Sequence, residues 1–293
     1  MADSVPIVVI CGQVPRAAIG TDAFQEAPVT AVMGSVAKHV FLVTDPEILE
    51  STVRTAFEIA RTGRPGPVVV DIPKDVQYWE GPFEGEGVLP IPGYRHRLSV
   101  VESNTLSDDQ CADFFSMLAE SQRPLIYAGG GVINGNATEA LRTFSRTFGI
   151  PGVTTLMGLG GLDTTDPLCL HMLGMHGTAF ANYAVEDCDL LIAVGARFDD
   201  RVAGDPPNFA PKARRVLHFD IDPAEIHKVK QADWHHVGIL NDALEDLTQY
   251  GSRTDFNADY STWHAEVEEL KTTYALNYDR ESDLIQPHYI IET

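Results

Sequence analysis

Two arginines and two aspartates, Arg197, Asp199, Asp200 and Arg201, stand directly after an apolar run at 189–195. A guanidinium offers a planar fork of donors that matches a carboxylate or phosphate through two parallel bonds. The same four residues can also satisfy one another as an exposed ion-pair cluster. Upstream, His176 lies in the Gly-rich turn Leu173-Gly174-Met175-His176-Gly177-Thr178. It has no carboxylate close in sequence and no nucleophile after it, and its spacing to His171 fits no zinc pattern. A neutral imidazole lining a pocket is the better reading.

Further candidates follow other apolar runs. Gly129, Gly130 and Gly131 come after 124–128 and would let backbone approach a phosphate, although triple glycines also make plain turns and this is not GxGxxG. Asp220-Ile221-Asp222 closes the run at 215–220; a carboxylate there can take a ribose hydroxyl or cap the Pro223-Ala224-Glu225 turn. Nearer the start, 12–16 (GQVPR) and 20–26 (GTDAFQE) form a polar loop, either plain surface or one wall of a cleft.

These side chains converge only if the apolar runs are strands of a parallel sheet, whose ligands gather outside the carboxyl ends. Residues 5–11 read as a strand buried on both faces. Residues 36–43 lead into a helix that Thr44 caps, with Pro46 in its first turn and Ile48, Leu49, Val53, Ala56, Phe57 and Ala60 on its apolar face; Gly63 ends it. A strand at 68–72 follows, and then Lys74. From 80 to 108 prolines and glycines break all periodicity, which predicts an interdomain linker. Beyond it the pattern gives a helix at 107–121, strands at 124–128, 153–156, 189–195, 215–220 and 237–240, and helices at 137–148 and near Ala224. The expected class is α/β: parallel sheets flanked by helices, with a doubly wound dinucleotide-type second domain. The convergence of weak sites at strand ends of one domain favours the ligand reading over the bland ones.

Composition narrows the function. With 21 Lys and Arg against 42 Asp and Glu, the formal charge of −21 opposes binding to nucleic acid, where basic side chains replace counterions. No apolar run approaches the ~20 residues of a membrane helix, and no basic leader precedes the first strand, so a cytoplasmic protein is expected. The four cysteines, Cys11, Cys111, Cys169 and Cys188, form no CxxC and read as buried thiols. The chain opens almost in a strand and stops at a helix start with Pro287 at its first position, as expected of a piece of a longer polypeptide.

Taken together, GQVPR with GTDAFQE, KHVFLV, TGRPGPVVVDIPKDV, TLMGLG, MLGMHGT, GARFDDRV and HFDIDPAEI resemble the catalytic subunit of the acetohydroxyacid synthase (acetolactate synthase) family of thiamine-diphosphate enzymes. The resemblance covers nearly the whole chain, most specifically at RPGPVVVDIPKD, MLGMHGT and GARFDDR. It implies the end of a pyrimidine-binding domain (1–79), a linker (80–108), a central FAD-binding domain (109–250) and a linker (251–293) toward a diphosphate-binding domain. The activity implied is a transferase that decarboxylates pyruvate on thiamine diphosphate and joins the two-carbon unit to pyruvate or 2-oxobutanoate, in branched-chain amino-acid biosynthesis.

FAD then lies on the central domain without redox duty. The resemblance implies that Arg64, Gly129, Gly130, Thr154, Thr155, Leu156, Met175, His176, Gly195, Arg197, Asp199, Asp220 and Ile221 bind cofactor. Gln25, Lys74 and Arg201 would be catalytic, with Met175, Asp200, Pro15 and Phe24 also lining the channel and Arg201 holding the second substrate's carboxylate. A homodimer or tetramer is implied, with a possible small regulatory subunit. The family's activating glutamate and its GDG-to-Asn segment for Mg2+ and diphosphate are not in these 293 residues, so no metal ligand is expected and the chain alone should be inactive. Asn241-Asp242 stands where the family more often has Gly-Asp. The alternatives are another thiamine-diphosphate carboligase or decarboxylase, and a stand-alone nucleotide-binding module.

Overall fold

A computed structural model describes residues 1–293, the side chain of Glu292 excepted, as two compact units, Met1–Ser103 and Asn104–Thr293. The first contains β1 (Val8–Gln13), α1 (Val29–Met33), β2 (His39–Leu42), α2 (Leu49–Arg61), β3 (Val68–Pro73), α3 (Lys74–Gln77) and α4 (Tyr94–Glu102). Its parallel sheet has the order β1-β3-β2. Central β3 is buried throughout, as its Val68-Val69-Val70 run requires. β1 departs from the expectation of burial on both faces: it pairs only with β3, and Ile7 and Ile10 are 51% and 61% exposed.

Three further expectations for this unit are corrected. Asp45, not Thr44, caps the helical segment: its carboxylate accepts from the Glu47 N–H, and Pro46 opens a short 3-10 turn before α2. The buried stripe of α2 is Thr52, Thr55, Ala56, Ile59 and Ala60, while Phe57 lies one step off it and is 57% exposed. The Thr55 hydroxyl can face inward because it donates to the Ser51 carbonyl and accepts from the Leu89 N–H. Nor is 80–108 structureless, since α4 forms within it and Tyr94 packs on the core around Val68 and Val70.

The second unit contains α5 (Asp108–Ala119), β4 (Pro124–Ala128), α6 (Gly130–Asn134), α7 (Thr138–Phe148), β5 (Gly152–Thr154), β6 (Cys169–Met172), α8 (Ala179–Asp187), β7 (Leu190–Val194), α9 (Asp200–Ala203), β8 (Arg215–Asp220), β9 (Trp234–Val237), α10 (Leu240–Arg253), α11 (Ser261–Thr273) and α12 (Pro287–Glu292). Six parallel strands run in the order β6-β5-β4-β7-β8-β9, so the chain reverses direction between β4 and β7. That is the doubly wound arrangement, whose ligand crevice opens at the carboxyl ends beside the reversal.

α5 starts with a capping box, Ser107 and Gln110 each bonding the other's backbone N–H. Phe114 on that helix meets Phe144, Phe219 and Trp234 edge-on in the core. Burial pushes the Cys111 thiol up to about 11 and that of Cys188 to about 12, which leaves both protonated and inert.

Four expectations change in this unit. β6 was absent from the sequence pattern; its short run is interrupted by His171, held at a φ of 62°. The last strand lies at Trp234–Val237 rather than 237–240. No helix forms near Ala224, because Asp220 and Asp222 accept from the N–H groups of Asp222 and Ala224 and so close successive side-chain turns. Within the stretch read as a linker after 250, α11 belongs to the core: Trp263 is buried and its Nε1 donates to the Pro124 carbonyl, 3.0 Å away.

Candidate functional site at the strand ends of the second unit

The turns after β4 and β7 interlock. The Gly129 N–H donates to the Val194 carbonyl at 2.9 Å, the Gly131 N–H to the Gly195 carbonyl at 3.0 Å, and the Gly195 N–H to the Phe219 carbonyl at 2.9 Å. A Cβ on Gly129 would stand 2.2 Å from the Gly195 oxygen, and one on Gly131 2.7 Å from the Gly195 Cα. Close backbone approach therefore demands these glycines at the fold's switch point. The half-buried Gly130 lies against Met157.

Beside them, Thr154 ends β5 with its hydroxyl buried and without a hydrogen-bond partner among the described residues. Thr155 caps the following 3-10 turn by accepting from the Gly158 N–H, and Leu156 in that turn is 66% exposed. After β6, Gly174 adopts a φ of 99° and is gripped by Asn182: its N–H donates to Oδ1 at 2.8 Å and its carbonyl accepts from Nδ2 at 3.0 Å. The grip holds out Met175, 86% exposed, and the exposed His176. Asn182 was not singled out from the sequence, although its place one turn into α8 carries the only hint.

The charges after β7 converge on one carboxylate. Asp199 accepts from Arg197 Nη2 at 3.1 Å, from Arg201 Nε at 2.7 Å and Nη2 at 3.0 Å, and from the Arg201 N–H at 3.1 Å. The Arg201 hydrogen bonds, with the charges of both arginines, hold the Asp199 carboxyl well below the usual range. Asp199 also caps α9, whose first residue, Asp200, is exposed. The ion-pair reading is thus realised for Arg197 and Arg201 here, with Arg201 the more exposed at 63% against 25%. Asp220 and half-buried Ile221 lie at the end of β8.

The remaining candidates belong to the first unit. Gln25 and Phe24 are exposed on a loop that Glu26 folds by accepting from the N–H groups of Gly20 and Ala23, and Gln25 has a φ of 68°. Pro15 is exposed after β1, and Lys74 is exposed at the start of α3. Gln13 ties that loop down, donating to the Ala27 carbonyl at 2.8 Å and to the buried Asp71 at 3.0 Å. Arg64 donates to Ser4 Oγ at 3.1 Å.

A cavity of about 340 Å3 lined by Pro206, Val216, Val229, Lys230 and Asp233 lies near the amino end of β8, not at these carboxyl ends. Among the described residues, no three His, Cys, Asp or Glu side chains come together as a metal would require, and no helix is long and apolar enough to cross a membrane.

Residues 111–247 match the family described as thiamine pyrophosphate enzyme, central domain. The chain is 45% identical over 297 residues to acetolactate synthase 1, chloroplastic, of Zea mays, covering 100% of this chain and 45% of that protein. It is 45% identical over 292 residues to the acetolactate synthase large subunit of Parasynechococcus marenigrum, covering 99% and 46%, and 44% identical over 296 residues to that of Corynebacterium glutamicum, again covering 99% and 46%. The chain spans slightly less than half the length of these relatives. Residues 111–247 of the second unit are thus similar to the thiamine pyrophosphate enzyme central-domain family, and along its whole length the chain is similar to acetolactate synthases.

Proposed function

We propose that this chain is the FAD-holding part of an acetolactate synthase catalytic subunit, whose whole polypeptide condenses pyruvate with pyruvate or 2-oxobutanoate in branched-chain amino-acid biosynthesis. The observation that carries the reading is convergence: Gly130, Thr154, Leu156, Met175, His176, Arg197 and Asp220 all lie at or just after carboxyl ends of one doubly wound sheet.

The residues present fit a flavin nucleotide. The orphaned Thr154 hydroxyl awaits a polar partner, Leu156 and Met175 offer exposed apolar cover for a flat ring, and Asp220 ends the strand where a ribose hydroxyl is taken. Arg197 supplies a half-buried guanidinium suited to a diphosphate. Assignment of Gly129, Thr155, Gly195, Asp199 and Ile221 to the same cofactor rests on the resemblance, as does that of Arg64.

When bound, thiamine diphosphate supplies the carbanion-stabilising chemistry of decarboxylation, and Mg2+ anchors its diphosphate; their main ligands are assigned outside this chain. Arg201 is the residue here that orients the acceptor 2-oxo acid. It can leave Asp199 at small cost, because an exposed ion pair contributes about 1 kcal/mol or less and Arg197 keeps the carboxylate paired. Gln25 and Lys74 take their catalytic assignment, and Asp200, Pro15 and Phe24 their channel places, from the resemblance. The assembly proposed is a homodimer or tetramer with a small regulatory subunit, in the cytoplasm. The test is calorimetric titration of the folded chain with FAD: heat of binding is expected, and none at high micromolar FAD would contradict the cofactor assignment.

A further inference from the structure

The turn that carries the charge cluster is held in an unfavourable shape. Gly195 has a φ of 57° and Phe198 one of 54°, a left-handed region that a bulky side chain such as that of Phe198 rarely adopts. Such a turn persists only if its surroundings over-determine it. The Gly195 carbonyl is tied to the Gly131 N–H, and the next carbonyl, that of Ala196, is tied to a side chain from β8: His218 Nε2 lies 3.0 Å from it. The His218 ring also meets Phe198 edge-on, with centroids 5.3 Å apart.

Chemistry assigns the proton. A carbonyl oxygen only accepts, so Nε2 of His218 must carry the hydrogen. The ring is 1% exposed, and burial lowers its basicity to about 4, so the imidazole is neutral at physiological pH. Nδ1 is then bare, in agreement with its having no hydrogen-bond partner among the described residues. Asp220 Oδ2, 3.9 Å from Nε2, lies on the same side of the ring as the bonded carbonyl.

We propose that His218 is the positioning residue of this site: its Nε2–H fastens the Ala196 carbonyl, its ring buttresses Phe198, and through that turn it fixes where Arg197 and Asp199 stand. The inference deepens the flavin reading and rests on it for what the positioned charges bind. It does not rest on it for the positioning itself.

The test uses the 293-residue chain with His218→Leu, which fills similar space without a donor, and His218→Gln, whose amide restores one. Hydrogen exchange is read at Arg201, Val202 and Ala203, whose N–H groups bond Asp199. In His218→Leu these amides should exchange about tenfold faster while the α10 amides keep their rates, and His218→Gln should return them to within about threefold of the parent. FAD affinity should follow the same order. Unchanged exchange in His218→Leu, or no recovery in His218→Gln, would overturn the proposal. If His218→Leu does not fold, nitrogen-15 spectra of the parent decide: the Nε2–H tautomer at pH 7 supports it, and the Nδ1–H tautomer overturns it. A parent chain that binds no FAD would remove the flavin reading and leave the exchange result to stand.

Discussion

Asp199 holds two guanidinium groups and a helix cap with one carboxylate, so Asp199→Asn removes several contacts at once. A loss of about 1–2 kcal/mol at pH 7 is expected in urea unfolding. The sign with pH follows from the depressed folded-state carboxyl. Its contribution is fully present above the ordinary carboxylate range and is lost as pH falls through the folded value, so parent and variant should converge in acid. His218 shifts the proton balance in the same direction for a different reason, because burial favours its neutral form where the arginines favour the charged form of Asp199. Its folded value of about 4 lies below the ordinary 6.5, chiefly through burial, with Glu225 opposing the shift and His235 and His227 adding to it. The unfolded chain therefore takes up a proton that the folded chain refuses, and the parent should lose about 2 kcal/mol between pH 7 and pH 5 through this ring. His218→Gln should lack that part of the loss. Two further substitutions separate roles: Arg201→Ala should leave FAD affinity within about threefold, and Arg197→Ala should weaken it about tenfold or more. Titrating both variants with FAD checks this, and equal losses would mean that Arg201 is misplaced.

Elements decide which of these residues a reader of the sequence could find. The doubly wound sheet was legible because Leu190–Val194 and Pro124–Ala128 are unbroken apolar runs, and a parallel sheet buried on both faces leaves that signature. β6 left none, being four residues long with a histidine inside it. Arg197, Asp199 and Arg201 stood out by charge, yet their spacing left open whether they pair with one another or bind an anion, and did not show that both guanidinium groups would meet at the Asp199 carboxylate. His218 was hidden for a different reason: its partner is a backbone carbonyl 22 residues away, and only strand register brings the two together. The same register explains the glycines. Gly131→Ala would drive a methyl to 2.7 Å from the Gly195 Cα, a clash with backbone and not with a movable side chain. It should destabilise the second unit by about 2 kcal/mol or more and speed exchange at the Gly129 and Gly195 amides first. Chemical denaturation with site-resolved exchange would read both.

At the scale of the whole molecule, two compact units carry separate optical reporters, Trp79 in the first and Trp234 and Trp263 in the second. The buried Trp263 bonds Pro124 at the start of β4, so its emission follows the sheet that bears the candidate flavin site. A ligand that binds the folded state alone stabilises it by mass action, about 2.7 kcal/mol at a free concentration of 100 times Kd. For a unit of this size that corresponds to a midpoint rise of roughly 5–10 °C. Thermal unfolding with saturating FAD should therefore move the Trp263 transition upward, and the rise should grow with the logarithm of FAD concentration. Pyruvate alone should not move it, because the proposed acceptor contact in this unit is the single exposed guanidinium of Arg201. A rise with pyruvate equal to that with FAD would point to an anion site in place of a flavin site at the ends of β7 and β8.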